Sequence, residues 1–412
     1  MPIPLPVLTI IKTLNDHDHQ AFAVGGCVRD MYLGIEPNDW DIATSALPGQ
    51  VKQIFPKTFD TGIEHGTVTV LFGKSGYEVT TYRIDGEYLD NRRPAEVVFT
   101  DNLTEDVKRR DFTINAMAYH PETGLVDPFG GLDDINNKII RCVGDPNDRF
   151  KEDGLRMIRA VRFAAVTGFE IEKKTRNAIY NNAGLIQNIS KERIRDEFVK
   201  IVTAGNPRHL SVLADSRLAG YISKEFGDYL TQQSVEIIND LLKCDKSLVL
   251  CFSIFFRFLS TEDVKKMMRF FRFDNITIKY VSVRIAWLDK LIDNDDYSVR
   301  KTLSIIGQTA LDDILYLKKI VNSETSKQIA ALNDKKNRVI RNADCISLKS
   351  LAVTGADILE HTEYRGKQIG DVLAYLLEIV LRNPDKNNKE ELIKFARKYF
   401  TPAPAASSPR RP

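Results

Sequence analysis

At 412 residues, 43% hydrophobic and 28% charged, the chain is too long for one ordinary core and reads as two to four globular domains. A formal net charge of +2 neither requires nor excludes a nucleic-acid partner, which local basic clusters must decide. Five cysteines without CxxC or paired spacing, an N-terminus with no basic region ahead of its apolar stretch, and a longest apolar run of only Leu248–Phe256 argue against a zinc site, a disulfide framework, a secretory signal and a membrane span, and predict a cytoplasmic protein.

The first strand signal is Ala21–Val24, followed by a Gly25-Gly26 turn and a helix over Val28–Leu33. Asp39–Ala43 reads as the next strand. Side chains alternate across a strand, so Asp39 and Asp41 share one face while Trp40 points away. Two carboxylates so placed can ligate hard divalent cations. A glycine turn entering a helix N-terminus approaches phosphate oxygens, with Arg29 and Asp30 one helical turn on. Together they predict a site for a nucleoside triphosphate with magnesium, suited to two-metal nucleotidyl transfer. Thr67–Phe72 and Tyr77–Tyr82, separated by Gly73-Lys74-Ser75-Gly76, form a predicted hairpin. Glu78 on that hairpin is the candidate third metal carboxylate, or else a solvated strand residue.

Asp85–Pro94 has the composition of a mobile charged loop. In Arg109–Ala118 a pair of arginines opens an apolar stretch that reads as a helix, from which Arg110 can grip a triphosphate bidentately and Asn115 can address a ribose or base edge. The alternative is a basic first turn on a core helix. Asp127–Gly131 reads as a structural turn without ligand contact. Beyond about residue 145 the periodicity is helical. In Glu152–Phe163, Asp153, Arg156, Arg159 and Arg162 recur every third position, so they sweep about half the helix circumference. Such a face suits a ligand met at several points: Asp153 accepting from an exocyclic amine, Arg156 donating to a base edge, later arginines addressing phosphates. A solvated ladder of salt bridges is the alternative. Lys191–Glu197 opens a helix expected to buttress this one. These signals predict an α/β head over 1–140, a helical neck over 141–205, a helical body over 206–325, a helical tail over 326–400 made basic by Lys335-Lys336-Asn337-Arg338, and a disordered C-terminus over 401–412.

GGCVRD, DWDIAT, RRDFTINAMAY, DPFGG and EDGLRMIRAVRF occur in the order, and at about the spacing, found in the class II tRNA nucleotidyltransferases, the CCA-adding enzymes of the poly(A) polymerase/tRNA nucleotidyltransferase family, which this chain resembles. The resemblance extends more weakly to Leu351–Leu359 and Gln368-Ile369-Gly370. The turn Tyr364–Lys367 departs from a proline-containing family version. What the resemblance implies is an α+β architecture, a polymerase β-like nucleotidyltransferase head followed by all-helical neck, body and tail. It also implies untemplated addition of C, C and A to the tRNA 3′ end from CTP and ATP, with Mg2+ as cofactor. By motif, Asp39 and Asp41 would be catalytic and hold the metal, Gly26, Arg29 and Arg110 would bind triphosphate and ribose, Asp153 and Arg156 would serve as the amino-acid template, and Arg159 and Arg162 would bind phosphates. A CC-adding or A-adding partial enzyme, a bacterial poly(A) polymerase and a catalytically silent RNA-binding protein are the alternatives. The charged loop favours full CCA addition, and the absence of an HD-type pattern argues against a second, hydrolytic activity.

Overall fold

Short apolar and β-branched runs near the N-terminus assemble into a seven-stranded mixed sheet. The computed structural model describes residues 3–86, 97–321 and 326–399; most of the predicted charged loop and the whole 401–412 segment lie outside them. The sheet contains β1 (Ala21–Val24), β2 (Asp41–Thr44), β3 (Thr58–Gly62), β4 (Thr67–Phe72), β5 (Ser75–Thr81), β8 (Ala118–His120) and β9 (Gly124–Val126), in the order β3-β4-β5-β2-β1-β8-β9. The pair β6 (Arg83–Asp85) and β7 (Val97–Phe99) forms a separate ribbon. All neighbours in the large sheet are antiparallel except β2 and β5, whose parallel register sets Asp41 beside Glu78. Ala23, Val24, Ile42, Ala43, Val68, Val70 and Val79 are buried beneath the sheet's helices or within its core, which is why these strands read as apolar runs rather than clean alternations.

Three local readings change. The hairpin turn is two residues, Gly73-Lys74, because β5 already starts at Ser75 opposite Phe72; Gly73 supplies the positive φ of 66° that so tight a turn needs. The strand predicted over Asp39–Ala43 begins only at Asp41, so Asp39 and the buried Trp40 lie on the segment entering it. The apolar stretch after Arg110 is not a helix. Arg109 closes the short helix α4 (Leu103–Lys108), Thr113–Asn115 makes a single 3-10 turn, and the chain then enters β8. Propensity for a helix here yields to sheet pairing, since Ala118 takes a place beside Val24.

Helix α1 (Leu5–Asn15) buries Val7, Ile10, Ile11 and Leu14, and α2 (Gly26–Tyr32) follows β1 directly; α3 (Pro48–Ile54) follows β2. The Asp127–Gly131 turn is structural, as expected: the Asp127 carboxylate accepts the Gly131 and Leu132 amides at 2.8 Å each and so caps α5 (Gly131–Asn137). After the small parallel pair of β10 (Ile139–Ile140) and β11 (Glu170–Ile171), the structure is helical, with α6 (Pro146–Glu152), α7 (Leu155–Thr167), α8 (Lys173–Asn182) and α9 (Lys191–Val202) leading. Among the described residues no helix is long and apolar enough to cross a membrane.

Backbone contacts divide the chain into two compact units, one of residues 1–258 with 266–274 and one of 259–265 with 275–412. In the first, Phe198 of α9 is the hub of an aromatic core, with Phe226, Phe252, Phe255 and Phe271 at centroid distances of 5.1–5.5 Å. In the second, Val372, Leu376 and Val380 pack against Ile358, Leu392 and Ala396. There the weakly family-like segment at 351–359 is a helix start, Thr354 and Asp357 capping each other's backbone amides. Phe198→Ala removes the hub ring and is expected to destabilise the first unit by about 3–5 kcal/mol, read by denaturant unfolding; a loss below 1 kcal/mol, on the order of one buried methylene, would show that the cluster does not hold that unit.

Candidate active site

Gly25 ends β1 with φ 77°, and a Cβ there would lie 2.6 Å from Arg110 Nη1. The backbone angle favours glycine here, and a side chain would displace the Arg110 guanidinium from its place. Gly26 opens α2 and puts Arg29 on its first turn. Arg29 holds Asp30 through Nε and Nη2 at 2.9 and 2.7 Å and gives Nη1 to Asn115 Oδ1 at 2.6 Å. Asn115 lies on the wall of the arginine cleft and also acts as a strut: its amide nitrogen donates to Asp111 Oδ1 at 3.1 Å. Asp111 in turn accepts Arg159 Nε and Nη2 on Oδ2 at 2.8 and 2.6 Å.

Glu197 of α9 completes the chain, standing 2.5 Å from Arg162 Nε and 3.7 Å from Arg159 Nη1. Arg162 lies over the Phe163 ring, 3.7 Å from its centroid. Arg159 and Arg162 are thus not part of a solvated ladder along their own helix; their partners, Asp111 and Glu197, come from segments distant in sequence. Burial would raise the Asp111 carboxyl, but the Arg159 guanidinium, the Asn115 amide and Arg156 outweigh it and hold it at about 2. Burial and the neighbouring Arg159 and Arg29 cations bring the Arg162 guanidinium down against the opposing pull of Glu197.

The predicted single helix from Glu152 is broken. Helix α6 stops at Glu152, Asp153 is extended at φ −141°, and α7 starts at Leu155. Asp153 Oδ1 accepts the Leu155 amide at 3.0 Å, and Oδ2 accepts Arg193 Nη2 at 2.7 Å. Arg156, 8% exposed, donates to the Arg109 carbonyl at 3.0 Å, to the Arg149 carbonyl at 3.2 Å and to Glu152 Oε2 at 2.5 Å. Its plane is fixed before any ligand arrives. Arg193 and Glu197 are site-shaping residues that sequence reading reached only as a buttressing helix; their spacing of four on one helix was the available signal.

Two clefts adjoin. One, of about 460 Å³, is lined by seven arginines, Arg29, Arg109, Arg110, Arg156, Arg159, Arg162 and Arg193, against Asp41, Asp111 and Asp153, with Gly26 at its edge. The other, of about 1050 Å³, is lined by Asp39, Asp41, Glu78, Asn38, Thr69 and Tyr77 among others. Asp41 belongs to both. Burial by the cleft walls and the nearby Asp39 push the Asp41 carboxyl up, opposed by Arg110, and burial, Asp41 and Asp39 push Glu78 up. These oxygen donors share negative charge that the protein leaves largely unmatched, which fits a hard divalent cation. Among the described residues no three side chains are already gathered as a closed metal cage.

Residues 21–141 match the family description "Poly A polymerase head domain", residues 168–230 "Probable RNA and SrmB- binding site of polymerase A", and residues 246–396 "tRNA nucleotidyltransferase domain 2 putative". The CCA-adding enzyme of Ligilactobacillus salivarius is 36% identical over 402 residues, covering 95% of this chain and 96% of that protein. The chain belongs to the CCA-adding enzymes. That of Pediococcus pentosaceus is 37% identical over 94% of this chain and 96% of its own length. The crystal structure of the Bacillus stearothermophilus CCA-adding enzyme with CTP superposes with a TM-score of 0.82 at 30% identity, covering 97% of this chain and 98% of that one. The Thermotoga maritima CCA-adding enzyme bound to tRNA shares the fold of this family member, with a TM-score of 0.63 at 20% identity, 96% of this chain and 95% of that one.

The Asp111 carboxyl sits below its ordinary value of about 3.9, so its stabilising contribution is complete above about pH 4 and is lost as pH falls towards about 2. Asp111→Asn is expected to be less stable at neutral pH and to show a shallower decline across that window, by about 2 kcal/mol. Parallel stability-versus-pH curves from denaturant titration would refute the buried pairing.

Proposed function

We infer that this CCA-adding enzyme transfers C, C and A from CTP and ATP to the 3′ end of tRNA, with the nucleotide in the arginine cleft and the RNA terminus in the acidic cleft. The observation that carries this reading is the position of Asp41, the side chain common to both clefts. A triphosphate has three linked anionic groups, and Arg29, Arg110, Arg159 and Arg162 offer planar, permanently charged donors in one cleft. Gly26 lets the first turn of α2 approach them. Attack by the 3′ oxygen on the α-phosphorus expels pyrophosphate in line, and these arginines meet the charge that gathers on the leaving group. Asp39 and Asp41 would hold Mg2+, with Glu78 their neighbour across the β2–β5 register; such a cation supplies activation of the attacking hydroxyl and neutralisation of phosphate charge.

The base is read by two side chains of opposite kind. Asp153 is an acceptor for the exocyclic amine that both C and A present, and Arg156 is donor only, matching the ring nitrogen beside that amine. Uracil and guanine present a carbonyl where Asp153 needs a donor. Because Arg156 is buried and anchored through two carbonyls and Glu152, it cannot swing to suit a different edge. Arg193 holds Asp153 through both oxygens, at 2.7 and 3.4 Å, and so fixes the plane of the carboxylate.

We assign the catalytic chemistry to a head over 1–140, base selection to a neck over 141–205, and grip on the tRNA to the helical body and tail, 206–325 and 326–400. The five cysteines are free thiols, in keeping with the reducing cytoplasm to which we assign the activity.

Purified protein incubated with Mg2+ and a tRNA lacking its 3′ CCA should add two C from CTP and then one A from ATP. Termination after CC, addition of A alone, or a long A tail would select a partial enzyme or a poly(A) polymerase. Asp41→Ala should lower incorporation by about 10³-fold or more while tRNA binding, read by anisotropy, persists; retained incorporation would remove Asp41 from the chemistry. Asp153→Ala should cut the preference for CTP over UTP by about 10²-fold, and an unaltered ratio would end the template role.

A further inference from the structure

Asp106 of α4 is 1% exposed and does not line the arginine cleft, yet Arg109 and Arg110, three and four positions further on, both do. That spacing brings both side chains back towards the carboxylate. Its helix is seated by Leu103 and Val107 in one apolar cluster with Val24 of β1 and Ala43 of β2, so Asp106 has a fixed place behind the cleft wall. A carboxylate so buried needs charged or hydrogen-bonding partners, and its two oxygens take different ones. Oδ1 accepts Arg109 Nη2 at 2.8 Å, Arg109 Nε at 3.1 Å and the Arg83 amide at 3.3 Å. Oδ2 stands 3.5 Å from Arg110 Nη2.

The two adjacent arginines are thereby set apart. Arg109 turns all three of its side-chain nitrogens to acids, Nε and Nη2 to Asp106 and Nη1 to Asp85 at 3.8 Å, and has little left to offer a ligand. Arg110 has one carboxylate within ion-pair distance among the described residues, that of Asp106. Its buried Nε has no hydrogen-bond partner, and its Nη1 occupies the space beside Gly25. The other arginines assigned to phosphate, Arg29, Arg159 and Arg162, stand 2.5–2.7 Å from their carboxylates. A guanidinium carries five N–H donors, so one long tether orients Arg110 without saturating it. Its remaining donors are available to phosphate oxygens.

We propose that Asp106 is the positioning residue for Arg110 in nucleotidyl transfer: its Oδ2 holds the guanidinium at the cleft wall where a triphosphate oxygen can take it. Asp106 itself touches neither nucleotide nor metal. The inference rests on the triphosphate reading of the arginine cleft and names a residue on which that grip depends. Without the carboxylate Arg110 keeps its charge but loses its anchor, and Asp41, which already feels that charge, can draw it away from the phosphates.

Steady-state addition of C to tRNA lacking CCA, with Mg2+ and the full-length protein, tests this in Asp106→Asn, Arg110→Ala and the double variant. Asp106→Asn keeps the size and removes the charge, so kcat/KM for CTP should fall about tenfold or more. The preference for CTP over UTP should hold, because Arg156 and Asp153 keep their anchors on Arg149, Glu152 and Arg193. Since Asp106 acts through Arg110, the double variant should lie within about twofold of Arg110→Ala. A loss equal to the product of the two single losses overturns the proposal. So does wild-type kcat/KM in Asp106→Asn, and so does a collapse of the CTP preference, which marks a general disturbance of the site. Asp106→Glu keeps the charge but crowds a buried position; it should retain more activity than Asp106→Asn, and the opposite ranking would reduce Asp106 to a packing role. Should Asp106→Asn fail to fold, Asp106→Glu with and without Arg110→Ala makes the same comparison. Failure of the triphosphate reading looks different, since Arg110→Ala alone would then transfer C as the unmutated protein does.

Discussion

The candidate active site depends on one buried carboxylate, that of Asp111. Through Asn115 it sets Arg29 on the sheet side, and through Oδ2 it sets Arg159 on the helical side. Arg162 is brought into the same arrangement by Glu197. Burying such charges costs desolvation, which at Asp111 the surrounding guanidinium groups and the Asn115 amide outweigh. What it provides is a set of guanidinium groups already aimed, so that a highly charged ligand meets donors that need not reorganise. Arg156 is likewise fixed, tied to two main-chain carbonyls, as the base-reading role proposed for it requires.

Much of this was legible in the chain itself. Ala21–Val24 and Thr67–Phe72 are strands at their predicted limits, because short apolar and β-branched runs that end at a glycine admit few other structures. The pairing of Asp39 with Asp41, the glycine turn and the arginines of α7 were visible as residue types at chemical spacing. The errors have physical causes. RRDFTINAMAY looks helical by composition, but Asp111 and Asn115 turn inward to satisfy arginines that are distant in sequence, and the segment becomes a 3-10 turn leading into a strand. The three-residue period of Asp153 with the arginines suggested one continuous helix; the extended backbone at Asp153 separates the acid from the arginines and directs it to Arg193. Arg193 and Glu197 have meaning only through those tertiary partners.

The two clefts also divide the chemistry by charge. The charged residues lining one are all acids, and arginines dominate the other, with Asp41 where they adjoin. Arg110 passes close to Gly25 and acts electrostatically on Asp41, so the group that would grip phosphate also moderates the acid beside it. The glycine at position 25 leaves that guanidinium its place, and a side chain there would make it shift.

The parallel alignment of β2 with β5 has a consequence for how the protein matures. Antiparallel neighbours such as β4 and β5 zip from a local turn, whereas a parallel pair forms only after the intervening chain has looped back. Asp41 and Glu78 face each other across that seam. The arginine cleft closes over longer loops still, since Arg29 meets Asn115 across 86 residues and Arg159 meets Asp111 across 48, so a partly folded chain can gather its acids before it has aimed its arginines.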